Sequence, residues 1–178
     1  MKATRIMLAA MVFGTAIGAS QANAQNCAGI GSCNTTNTAS VTVPVLVKLD
    51  MTSSTTSLTA PSGAQIDAGA TIADAGPSFT IKANRAWTLK LKSLNATNWT
   101  YTGSDLGVKP ISDLTWSSAS NGTFVPITSS DVTFTSGSKS SGVAAQIHFQ
   151  TIWASGMGLA SNAPGQYDLP IQFTLSAP

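Results

Sequence analysis

The stretch Val41-Thr42-Val43-Pro44-Val45-Leu46-Val47-Lys48-Leu49-Asp50 sets Val41, Val43, Val45, Val47 and Leu49 on one side of an extended chain. Thr42, Pro44, Leu46, Lys48 and Asp50 fall on the other. Successive side chains of a strand point to opposite faces, so this period of two predicts a β-strand over 41–49 with one buried face. Pro44 has no amide hydrogen to give to a neighbour, which places the strand at a sheet edge or a bulge.

The same period recurs downstream. Phe79, Ile81 and Ala83 alternate ahead of Asn84-Arg85, and Trp87, Leu89 and Leu91 then alternate with Thr88, Lys90 and Lys92. Val132 and Phe134 mark a brief strand. Val143, Ala145, Ile147, Phe149, Thr151 and Trp153 share one face of a longer run, with Gln146, His148 and Gln150 opposite them. Tyr167, Leu169, Ile171, Phe173 and Leu175 form a final strand, expected to be part of the core. Between these runs, Asn98 to Gly122 reads as short strands and long loops.

Composition points the same way. The chain has no Glu and only 9% charged residues, so the residues that furnish helix surfaces are scarce. Ser and Thr make up 43 of the 154 residues from Gln25 onward. No segment repeats at a fixed period, which disfavours propellers and solenoids. The expected fold is all-β: a single antiparallel sandwich, Ig-like or jelly-roll-like, over 41–178.

Residues 1–24 read as a cleaved signal peptide. Lys2 and Arg5 precede an apolar run from Ile6 to about Ile17, and Ala22-Asn23-Ala24 supplies the small residues of a cleavage site. The apolar run is shorter than the ~20 residues of a bilayer span, and no later run reaches that length, so no integral membrane segment is expected in the mature chain. Export to the periplasm, cell surface or extracellular space follows. In that setting Cys27 and Cys33 are expected to be oxidised within residues 25–40, either with each other or between chains. A ring of that size contributes at best roughly 2 to 3 kcal/mol.

The formal charge is +2, but with Lys2 and Arg5 in the leader the remaining chain carries seven basic and seven acidic residues. That balance gives no drive toward nucleic acid or anionic lipid. Catalytic equipment is sparse as well. His148 is the only His, flanked by Gln146-Ile147 and Phe149-Gln150 rather than by partners for nucleophilic catalysis. All seven acids are Asp, mostly next to turn residues, and no pair stands out as a glycosidase dyad. Neither a metal nor a cofactor motif is present, so a non-enzymatic protein is expected. Trp99, Tyr101 and Trp116 form a candidate glycan platform, since an aromatic ring offers a flat apolar face to a sugar.

The leader, the Cys27/Cys33 loop, Ser40–Val43, Ala83–Leu89, Lys109–Trp116 and the ending Pro164–Pro178 resemble a group of uncharacterised exported bacterial β-sandwich proteins. Trp87-Thr88-Leu89 and the terminal segment, with Phe173 where the motif has Trp, are similar to the paired motifs of WxL cell-wall-binding domains, which implies peptidoglycan binding. Small size, one disulfide and Gly165-Gln166-Tyr167 in the last strand also resemble pilin-like and spore-coat-type subunits. That resemblance implies self-association into a surface polymer by lending a strand, here Val41 to Leu49. Two functions are thus expected: a structural or assembly subunit, and a module that binds polysaccharide or cell wall.

Overall fold

A computed structural model describes residues 31–32 and 36–178. The leader, Cys27 and Cys33 lie outside the described residues. The chain divides into two compact units, Met1–Thr42 and Val43–Pro178, and every described strand falls in the second.

The fold is an all-β antiparallel sandwich. In chain order it comprises β1 (Val47–Met51), a one-turn-and-a-half helix α1 (Gly63–Ala68), β2 (Thr71–Ala83), β3 (Trp87–Ser93) and β4 (Thr100–Gly103). There follow β5 (Leu114–Ser117), β6 (Val125–Pro126), β7 (Val132–Gly137), β8 (Ser140–Ile152), β9 (Gly165–Asp168) and β10 (Ile171–Ser176). The larger sheet has the order β1-β2-β8-β5-β6 and the smaller the order β10-β3-β7, while β4 and β9 form a two-stranded ribbon.

The alternation read from the sequence is what closes the core. Phe79, Ile81, Ile147, Phe149, Leu114 and Trp116 point inward from the larger sheet, and Trp87, Leu89, Leu91 and Phe134 from the smaller one. Phe134 bridges the layers, its ring 5.8 Å from Phe79 and 5.7 Å from Trp116. Removing this apolar surface from water is the main favourable contribution to the fold.

Three elements differ from the sequence reading. The strand expected over 41–49 begins only at Val47, because Asn84 captures the chain ahead of it: its Nδ2 donates to Pro44 O (2.8 Å) and its Oδ1 accepts from Leu46 N (2.9 Å). The final strand is interrupted at Leu169-Pro170 and becomes β9 and β10. Its inward residues are only half-buried, because β10 is an edge strand with a neighbour on one side. The short helix has no period in the sequence to mark it. It is held by a capping box, Ser62 Oγ accepting from Gln65 N and Gln65 Oε1 accepting from Ser62 N, and ends at Gly69 in the left-handed region (φ 69°).

Candidate functional site

β1 and β10 are edge strands of different sheets and lie alongside one another. β1 bonds only to β2, through pairs such as Leu49 with Ile81, and β10 only to β3, through pairs such as Phe173 with Leu91. Each therefore has one edge of backbone N–H and C=O groups without a strand partner among the described residues. Beyond the end of β1 lies a groove of about 1080 Å³, lined by Met51, residues 53–61, residues 162–170 and, from β10, Ile171 and Phe173, with Leu114 and Phe149 also in its lining.

The groove exists because the chain peels away from β2 after Met51 yet stays tethered. Thr52 N donates to Ser78 O (3.0 Å) and Thr52 Oγ1 accepts from Ser78 N (3.0 Å). Further on, Thr59 donates to both carboxylate oxygens of Asp74, from its N (3.0 Å) and its Oγ1 (2.6 Å). In β10, Ile171, Phe173 and Leu175 are half-buried, the first two lining the groove, while Gln172, Thr174 and Ser176 face solvent. A row of apolar side chains beneath a free strand edge is the arrangement that strand addition uses.

One end of the groove is aromatic and holds a buried cation. The Lys109 side chain has no exposed surface. Its Nζ donates to Asp113 Oδ2 (3.0 Å) and to Ile152 O, and lies 4.1 Å from the centre of the Trp153 ring. Burial pushes its pKa below the usual lysine range, and the bond it donates to Asp113 opposes that shift. Trp153 stacks edge-on against Tyr167 at 6.2 Å, and Tyr167 OH donates to Ala163 O (2.9 Å). Desolvation, then neighbouring Tyr101, raises the Tyr167 pKa. Asn162 closes this end by donating from Nδ2 to Ala154 O and Gly156 O (2.8 and 2.7 Å). With its donors satisfied, Lys109 acts as a buried strut and is not an open anion site.

Two of the three residues of the candidate glycan platform are buried. Trp99 and Trp116 are 8% and 7% exposed and belong to the core. Trp99 also donates from Nε1 to Pro110 O (3.0 Å). Tyr101 is half-buried, its ring 5.0 Å from that of Tyr167 and its hydroxyl donating to Pro164 O (2.8 Å). His148 lies between buried Ile147 and Phe149 on the outer face of the larger sheet, opposite Ser117 and Ala75. Among the described residues no group of three His, Cys, Asp or Glu is placed to hold a metal ion.

The candidate strand for lending is divided. Val47 and Leu49 are engaged in β1, and Asn84 holds the backbone on either side of Val45. Val41 and Val43 precede that clamp, with 88% and 69% of their surfaces exposed. Ile171, Phe173 and Leu175 are legible in the sequence only as a strand face. The Lys109 cluster carries no sequence signal beyond the four-residue spacing of Asp113, since Ile152 and Trp153 join it only in the fold.

No family model and no curated protein matches the chain. Among solved structures, it is similar to a chain in the structure of a chaperone–usher pilus, with a TM-score of 0.45 and 14% identity, over 83% of this chain and 95% of that one.

Proposed function

We propose that the chain is an exported, non-enzymatic structural subunit that assembles with copies of itself at the periplasmic, surface or extracellular side. In this reading the segment ahead of the Asn84 clamp, with Val41 and Val43, adds to the free edge of β10 in another copy and seats its valines over Ile171, Phe173 and Leu175. The observation that carries it is that unpaired edge, with its apolar side chains half-buried on a core that is otherwise closed. An added strand supplies backbone hydrogen bonds along the edge and covers those side chains, two gains that a lone copy lacks.

The test compares the exported protein with a variant lacking residues 36–43, by sedimentation at rising concentration and by electron microscopy of the native extracellular fraction. Multimers that the deletion abolishes support the reading. A protein that stays monomeric at millimolar concentration, or one retained on purified cell wall as a monomer, sinks it.

A further inference from the structure

The charges of the sandwich are sorted along its long axis. β2 and β8 run antiparallel, so the two ends of the domain are fixed by register: Ala83 faces Ser140 at one end and Thr71 faces Ile152 at the other. At about 3.3 Å per residue these ends are roughly 40 Å apart.

The first end is basic. Lys82 is the penultimate residue of β2, Arg85 lies in the β2–β3 turn and Lys139 in the β7–β8 turn, all exposed. None of the three has an ion-pair partner among the described residues. Lys48 stands directly opposite Lys82 in the strand register, and Lys48, Lys82 and Lys139 line one shallow depression of about 610 Å³. Asp50, 2.8 Å from Lys48, is the acid paired beside them.

The second end is acidic. Asp67 on α1, Asp105 beyond β4 and Asp168 at the end of β9 are exposed, and Asp74 sits near the start of β2. None of these four is paired with a cation among the described residues. The two lysines toward this end, Lys92 and Lys109, are balanced by Asp131 and Asp113, and Lys90 stands mid-strand in β3.

From Gln25 onward the positive and negative residues are equal in number, so net charge does not account for the segregation. A directly opposed Lys48–Lys82 pair also works against the lone domain, because like charges across a ladder are destabilising. Such a cost is offset when an oppositely charged surface docks there.

We infer that the basic end of one copy docks on the acidic end of the next, so that charge sets a head-to-tail order. This rests on the strand-addition reading and gives it a direction. The chain joins the sandwich at Pro44, held by Asn84 at the basic end, while the groove's aromatic end, with Trp153 and Tyr167, lies at the acidic end. Docking in this order brings the leading segment of one copy to the mouth of its neighbour's groove.

The experiment follows assembly of the exported protein by light scattering in 10 mM and 1 M NaCl. It includes two charge-reversed variants, Lys82→Glu/Arg85→Glu/Lys139→Glu and Asp67→Lys/Asp105→Lys/Asp168→Lys, whose folding is checked by thermal melting. Screening contracts from about 30 Å to about 3 Å across that salt range, and the wild-type rate is expected to fall at least tenfold. Each variant alone, with two ends of the same sign, is expected to assemble at least tenfold more slowly than wild type in 10 mM NaCl. An equimolar mixture of the two is expected to recover the wild-type rate. Salt-insensitive assembly, or a mixture no faster than its components, overturns the polar docking while strand addition stands. A wild-type protein that does not assemble in either salt overturns both.

Discussion

The ring of Phe173 lies 4.7 Å from that of Phe79, centroid to centroid, at 54°. This contact ties the edge of the smaller sheet to a fully buried residue of the larger one. Phe173 is half-buried and shares the groove wall with Ile171, whereas Phe134, which also meets Phe79, is 7% exposed. Truncating Phe134 to Ala should therefore cost about 3–5 kcal/mol, and truncating Phe173 less, about 2 kcal/mol. Denaturant unfolding of the two variants reads that order. In assembly the order reverses, with Phe173→Ala losing multimers at concentrations where a folded Phe134→Ala retains them.

Val43 makes the complementary case. Its side chain is largely exposed, so Val43→Lys should shift the stability of the isolated domain by no more than about 0.5 kcal/mol. A charge carried over Phe173 in a neighbouring copy would meet apolar surface, and multimers should be lost. A peptide copying residues 36–46, added to the Val43→Lys protein at one hundred times its dissociation constant, should stabilise the fold by about 2.7 kcal/mol. An unchanged melting temperature at millimolar peptide counts against the groove as acceptor.

Lys109 and Tyr167 give the alkaline limb of stability a shape. The folded pKa of Lys109 is lowered from 10.5, chiefly by burial. Between that lowered value and 10.5 the unfolded chain binds more protons than the folded one, and the Lys109 contribution rises with pH. Tyr167 is raised above 10.0, chiefly by desolvation. Above pH 10 the folded chain holds a proton that the unfolded chain releases, and its contribution falls. Urea unfolding between pH 7 and 11 should show Lys109→Met losing the rise and Tyr167→Phe losing the fall. At pH 7 Lys109→Ala should cost about 3 kcal/mol, because the partly buried Asp113 carboxylate is left without its cation.

The parts of the fold that could be read in advance are those whose partners repeat one simple rule. Ile81, Leu89, Leu91, Ile147 and Phe149 follow a period of two and are all buried, since strands covered on one face show their burial in the pattern. The same period in Ile171, Phe173 and Leu175 reveals a face but not whether another strand stands beside it. That depends on pairings such as Ser78 with Gln146 and Leu91 with Phe173, made between residues far apart in the chain. Trp99 and Trp116 illustrate a second limit: ring chemistry suits both a sugar platform and a core, and only the surrounding chain decides. Lys109 illustrates a third, because a buried lysine needs Asp113, Ile152 and Trp153 at once. The helix at Gly63–Ala68 carries its signal in Ser62 and Gln65, but it is too short to show a helical period.

The ribbon that frames the aromatic end of the groove depends on the absence of side chains at Gly107 and Gly165. A Cβ at Gly165 would stand 2.5 Å from Tyr101 Cε2 and 2.6 Å from Thr102 O, and one at Gly107 would stand 2.5 Å from Tyr101 Cδ2. The Thr102 oxygen belongs to the β4–β9 ladder, where Thr102 pairs with Gln166, so it cannot yield as a flexible side chain would. Gly165→Ala should therefore push Tyr101 off its present packing and weaken its bond to Pro164 O, costing about 1–3 kcal/mol by overpacking. Tyr101→Phe keeps the ring and removes only the hydroxyl, and should cost about 1 kcal/mol. Because Tyr101 packs on Tyr167, displacement of the first ring should carry to the second. Tyrosine fluorescence and the alkaline titration of Tyr167 should then change in Gly165→Ala but not in an exposed control such as Ser104→Ala. Equal stability of Gly165→Ala and wild type would mean that the ribbon adjusts freely and does not frame the groove.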